Sequence, residues 1–209
     1  MAAKLKTILF LSSCRKGASF TGEGSWGDRV GKAMKEILEE QGLEVSLWDP
    51  KDSPYTILEQ PLHLVPDASG FPQWMHDKKK ELEEADSFII CSAEYNSALP
   101  PALTNMLDHY PPAAYKDRPV ALLTYSVGPF GGCRIQINLK AHVTELGMVP
   151  VPASCTVMSV GSMFDEEGNL TDDRVKANMV KQAKELKWYA EALKSYKQVR
   201  PVPVPPKKQ

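Results

Sequence analysis

A doubly wound parallel α/β sheet is the fold class this sequence predicts, on three observations. Five short apolar runs recur along the chain, each followed by a stretch with helical spacing. The connections are too long for hairpins, which antiparallel neighbours would use. The runs are also nearly continuous in apolar residues, as strands covered on both faces must be. With right-handed crossovers the common five-strand order is 2-1-3-4-5, and its switch point lies between the first and third strands.

The first strand is predicted at Leu5 to Leu11, followed by a long loop rich in Ser, Gly and basic residues over 12–25. Val30, Ala33, Met34, Ile37, Leu38 and Gln41 then recur at helical spacing, with Gly42 as a natural stop. Leu43 to Trp48 reads as strand two, and the proline- and glycine-punctuated stretch 49–72 as an irregular excursion. A second helix is expected over about Gln73 to Ala85, with Trp74, Met75, Leu82 and Ala85 inward and Lys78 to Lys80 on a solvated face. Phe88 to Cys91 is a buried strand that empties into the small, polar loop Ser92 to Ala98. Pro100 or Pro101 suits the first turn of the next helix, where a missing N–H costs nothing. Pro119 to Tyr125 is strand four. After it the glycine-rich stretch Ser126 to Gly132 opens a helix on which Ile135, Leu139, His142, Val143 and Leu146 share a face. Strand five is expected within Met148 to Val157. Thr171, followed by Asp172 and Asp173, reads as the N-cap of a last helix carrying Val175, Met179, Ala183, Leu186, Ala190 and Leu193. Residues 1–197 read as one domain and 198–209 as a proline-rich tail, extended or disordered.

Composition narrows the function classes. A formal net charge of −1 offers no nucleic-acid footprint, and no apolar stretch approaches the roughly 20 residues of a membrane span. Four scattered cysteines (Cys14, Cys91, Cys133, Cys155) without a C-x-x-C, and an N-terminus whose short apolar run suits a strand better than a signal, favour reduced thiols in the cytoplasm. The four histidines have no metal-ligand spacing.

In a sheet of this order the loops after strands one, three and four crowd the ligand-binding edge. The first offers Ser12, Ser13, Arg15, Ser19 and Ser25, and a helix start near Trp26 and Gly27. Together these are hydroxyls, a guanidinium and free N–H groups that suit a phosphate. Asp28 counts against this, because a carboxylate in the first helical turn competes for the same positive end unless it turns outward. A plainer alternative is a solvated loop with Ser25 and Asp28 forming a capping box. The second loop, Ala93-Glu94-Tyr95-Asn96-Ser97, offers a ring and an amide for a flat heterocycle, or an ordinary turn. In the third, Ser126, Gly128, Gly131 and Gly132 let backbone approach a ligand closely, or simply turn the chain. Gly22-Glu23-Gly24-Ser25-Trp26-Gly27 matches G-x-G-x-x-G, and Asp49 stands about 20 residues on, as in a dinucleotide fingerprint. The stretch 12–21 separates that motif from its strand, so a Rossmann-type dehydrogenase stands second.

Three motifs together resemble the NADPH-dependent FMN reductase family of flavodoxin-like proteins. Ser13-Cys14-Arg15 looks like its G-S-x-R loop, and residues 94–110 (EYNSALPPALTNMLDHY) are similar to E-Y-N-x-x-x-P-x-x-L-K-N-x-x-D. Ser126-Val127-Gly128 with Gly131-Gly132 and Arg134 looks like S-x-G-x-x-G-G-x-R. Ser12 stands where the family has glycine, Thr104 replaces the lysine, and the first loop is longer. The resemblance implies a flavodoxin-like three-layer sandwich. It implies FMN phosphate held by Ser13, Arg15 and the Ser25–Gly27 helix start, and the flavin ring lined by Ala93, Glu94, Tyr95 and Asn96. Ser126, Gly128 and Gly131 would lie on the ring's other side, beside a slot for NADPH or NADH. It also implies a small-molecule electron acceptor (flavin, quinone, azo compound or metal oxyanion). Assembly into a homodimer or homotetramer would use helices such as the one carrying Leu103, Met106, Leu107 and Tyr110. No catalytic side chain is named, since flavin carries the chemistry and the protein orients it. A flavin electron carrier, or a redox-sensing interaction protein, is the alternative on the same fold.

Overall fold

The computed structural model of the chain describes residues 4–18 and 22–203; Ser19 and the last residues of the tail lie outside that range. The five sheet strands are β1 (Lys6–Leu11), β2 (Glu44–Trp48), β3 (Ser87–Ala93), β4 (Pro119–Tyr125) and β5 (Val149–Val157). All pair in parallel, in the order β2-β1-β3-β4-β5, the flavodoxin-like order expected from the sequence. Alternation within each strand builds the two halves of the core. Leu9, Leu11, Ile89, Cys91, Ala121 and Leu123 face α1 (Trp26–Glu40) and α5 (Asp173–Val199). Ile8, Phe10, Phe88, Ile90, Val120 and Leu122 face α2 (Gln73–Glu84), α3 (Pro101–Asp108) and α4 (Gln136–Glu145).

The helix boundaries follow local chemistry. Ser25 caps α1: its Oγ accepts the Asp28 N–H at 3.2 Å, and the Asp28 carboxylate accepts the Ser25 N–H at 2.8 Å. The capping box is therefore formed. Beyond Glu40 the chain turns through Gly42 at φ +83°, a conformation that glycine enters without Cβ strain. Pro101 occupies the first turn of α3.

Four expectations are corrected. The cap of α5 is Asp172, whose Oδ1 accepts from Val175 N–H at 2.8 Å. Thr171 instead bonds the carbonyl of Met163. Leu193 is only half-buried on that helix. Lys78 is not on a solvated face, because its ammonium lies 4.0 Å above the Trp48 ring, half-buried there by a cation–π contact. The apolar side of α3 assigned to subunit contacts is core: Leu103, Met106, Leu107 and Tyr110 are all buried within the chain.

Between β4 and β5 the register slips, with Val120 opposite Pro150 but Leu122 opposite Ser154. Gln182, buried on the inner face of α5, fills the gap. Its Nε2 donates to the carbonyls of Leu122 at 2.8 Å and Ala153 at 3.0 Å.

Candidate functional site

The carboxyl ends of β1, β3 and β4 are adjacent in the sheet, so the residues that leave them meet. Ser12 and Ser13 follow β1; the Ser12 hydroxyl accepts the Ala93 N–H at 2.8 Å and ties the first loop to the end of β3. The Glu94 N–H bonds the Tyr125 carbonyl at 3.2 Å, which ties β3 to β4. The loop after β5 joins them: Val160 N–H donates to the Ser126 carbonyl and Ser159 N–H to that of Gly128, both at 3.0 Å. A cleft opens between these loops. It is lined by Ser13, Arg15, Gly17, Ser25, Trp26, Gly27, Ala93, Glu94, Tyr95, Tyr125, Ser126, Val127 and Val160.

Nine of the twelve residues singled out in the sequence converge there. Asn96, Gly128 and Gly131 do not. Tyr95 and Ala98 exchange backbone hydrogen bonds at 3.0 and 2.9 Å around a two-residue turn. Its central residues, Asn96 (φ 50°) and Ser97 (φ 63°), are both left-handed, a geometry that non-glycine residues adopt only at a cost. That turn leaves Asn96 exposed. Gly131 and Gly132 serve packing, since a Cβ on Gly132 would stand 2.9 Å from Thr124 Cβ and 3.1 Å from Tyr125 N. Gly17, Tyr125, Val127 and Val160 were not anticipated. Tyr125 and Val127 stand at or just past a strand end, where the strand-end rule could have found them. Val160 follows the fifth strand, and no motif marks it.

Several groups on the cleft wall suit a phosphate. Arg15 is exposed and its guanidinium lies 4.2 Å over the Tyr95 ring. The Ser13 hydroxyl bonds the Tyr95 hydroxyl. The aromatic side chain read as a ring platform thus reaches the phosphate loop. Among the described residues, the Trp26 and Gly27 N–H groups at the start of α1 have no acceptor, so they remain available to an anion.

Glu94 lines the same cleft, and its side chain is only 7% exposed. Arg134 holds its Oε1 at 2.9 Å and lies 4.1 Å over the Phe130 ring. Glu94 Oε2 is buried without a partner among the described residues, and the Tyr125 hydroxyl is buried beside Ser12 and Gly27. Burial pushes the Tyr125 phenol above its usual range, so it stays protonated. An orphaned carboxylate oxygen and two N–H groups without an acceptor among the described residues, around one cleft, are what a polar, phosphorylated ligand would satisfy. The residues present therefore fit FMN.

Gly27 and Tyr125 are tightly matched, since a Cβ on Gly27 would fall 2.7 Å from the Tyr125 hydroxyl oxygen. Gly27→Ala is expected to lose about 1–3 kcal/mol from overpacking, despite the better helix propensity of alanine. In a Tyr125→Phe background the same change should be neutral or stabilising. Urea unfolding of the four proteins checks this, and a cycle with no coupling would rule the contact out.

Comparisons with known proteins agree with this geometry. A family model described as NADPH-dependent FMN reductase matches residues 5–161. The NAD(P)H-dependent FMN reductase of Pseudomonas aeruginosa is 27% identical over 131 residues, 61% of this chain and 71% of its own length. The quinone reductase of Escherichia coli K12 is 30% identical over 145 residues, 67% of this chain and 70% of its own. Among solved structures, FerB, a flavoenzyme NAD(P)H:(acceptor) oxidoreductase of Paracoccus denitrificans, superposes with a TM-score of 0.69. At 18% identity, covering 88% of this chain and 98% of that one, it speaks for the fold. The matched stretch contains all the loops that close the cleft, on a sheet whose switch point puts them together. The chain belongs to the NADPH-dependent FMN reductase family.

Proposed function

We propose that this chain is an FMN-dependent oxidoreductase that takes electrons from NADPH or NADH and delivers them to a small acceptor of the quinone or flavin class. The observation that carries the reading is the cleft itself. Ser13, Arg15, Trp26 and Gly27 line it together with Ala93, Glu94 and Ser126. The names of the two curated relatives support the donor and the acceptor classes. FMN, when bound, supplies the reversible two-electron chemistry.

What the protein contributes is position. Arg15 supplies a bidentate cation, and the start of α1 supplies fixed N–H donors that need no reorganisation when an anion arrives. Arg134 fixes Glu94 and, through its contact with Phe130, the loop after β4, so the walls on either side of the cleft hold a set spacing. Val127 and Phe130 are exposed apolar groups beside that wall and suit a flat, apolar acceptor. Four free cysteines accord with a reducing, cytoplasmic setting. No helix among the described residues is long and apolar enough to cross a membrane.

The test is a visible spectrum of the purified full chain, before and after anaerobic NADPH. A yellow protein that bleaches is expected. A yellow protein that NADPH and NADH both leave unchanged would point to an electron carrier. Failure to take up added FMN, with binding of NAD, would move the chain to the Rossmann reading.

A further inference from the structure

The charge beside the start of α1 needs a counterweight. Asp28 lies in the first turn of α1, next to the free N–H groups of Trp26 and Gly27, where a carboxylate repels an incoming anion. The structure occupies both of its oxygens. Oδ2 accepts the Ser25 N–H at 2.8 Å, and Oδ1 accepts from the Lys51 ammonium. Lys51 comes from the excursion after β2, outside the loops that line the cleft, and its Nζ also stands 3.2 Å from Oδ2 of the buried Asp49. Its side chain is only 20% exposed, so solvent screens these charges less than on an open surface. Burial works against ionisation of Asp28, yet hydrogen bonds from Lys51 and Ser25 hold its carboxyl below the usual range. At Asp49 burial prevails over Lys51, and the carboxyl is pushed up.

We propose that Lys51 is a positioning residue for phosphate binding: it offsets the field of Asp28 and keeps that carboxylate turned to Ser25 and itself, so that the start of α1 stays receptive to an anion. Lys51 touches the ligand at no point in this account. It acts through Asp28. The proposal rests on the FMN reading of the cleft and adds to it a residue that none of the three loops contains.

Riboflavin, which lacks the phosphate, separates this role from a merely structural one. The full chain, stripped of flavin, would be titrated into FMN and into riboflavin, following the quenching of flavin fluorescence. Lys51→Met should weaken FMN binding roughly tenfold and leave riboflavin within about twofold. Asp28→Asn keeps an oxygen for the Ser25 N–H and removes the charge, so it should bind FMN about two- to fivefold more tightly. Misfolding cannot produce that gain. The double variant should return to within about threefold of the unaltered chain. Equal weakening of both flavins by Lys51→Met, or no weakening of FMN, overturns the proposal, as does weaker FMN binding by Asp28→Asn. An unaltered chain that binds riboflavin and FMN equally well also overturns it, because no phosphate term then exists. If the unaltered chain binds neither flavin, the FMN reading itself falls, and this proposal with it.

Discussion

Replacing Arg15 with alanine is expected to weaken FMN binding by about 10- to 100-fold while leaving the folded chain nearly as stable as before. The magnitude follows from the bonds at stake. Hydrogen bonds to charged groups contribute about 1.5–3 kcal/mol, and each 1.4 kcal/mol is a factor of ten in affinity. The small stability effect follows from exposure, since Arg15 is open to solvent and its stacking on Tyr95 is worth about 0.5–1 kcal/mol at such a site. Lysine should restore only part of the affinity, because a point charge lacks the planar fork that matches phosphate oxygens. Titration of flavin-free protein with FMN and with riboflavin reads the effect, and urea unfolding reads the stability. Unchanged FMN affinity in Arg15→Ala would remove this residue from the phosphate site.

The residues that carried the fold in the sequence were those whose partners are set by periodicity. The strand Phe88 to Cys91 reads as buried because a covered strand is apolar on both faces, and β3 is buried along its whole length. The stop at Gly42 reads correctly because a helix end has a local signature. What stayed hidden depends on residues far apart in the chain. Lys51 looked like part of an irregular loop, and only the fold brings its ammonium to Asp28. The objection raised by Asp28 was sound in its physics and lacked that partner. Tyr125 read as the end of a strand, and nothing local marks its hydroxyl as sitting against Gly27. The apolar stripe on α3 was visible, but a stripe does not say whether another chain or its own sheet covers it. Here the sheet does. Asn96 carries the family's motif, yet the left-handed pair at 96–97 turns it to solvent.

Gln182 should give the largest loss of stability of any single polar side chain on α5. A glutamine amid Met179, Ala183 and Leu186 breaks the apolar pattern of a core-facing helix and is easily passed over as a surface residue, yet it is 1% exposed. The slip in register between β4 and β5 explains it. Where the ladder misses a step, the carbonyls of Leu122 and Ala153 turn to α5, and Nε2 of Gln182 donates to both. Methionine has a similar volume and no donor, so Gln182→Met removes the two hydrogen bonds without opening a cavity, and it also removes Oε1, which is buried without a partner among the described residues. The two buried carbonyls left unpaired cost about 1–3 kcal/mol each, and loss of the unpaired Oε1 offsets part of this, which puts the variant about 1–4 kcal/mol below the unaltered chain. Against a total stability of about 5–15 kcal/mol that is a large share. Gln182→Ala should lose somewhat more, since a cavity is added to the same two orphans. Urea unfolding measures both variants. A Gln182→Met midpoint equal to that of the unaltered chain would mean that the two carbonyls find other donors and that the slipped register does not depend on α5. Because β4 ends at Tyr125 and leads into Ser126, a loosened β4–β5 pair should also weaken FMN binding. That loss should extend to riboflavin as well, unlike the phosphate-specific loss expected for Arg15→Ala.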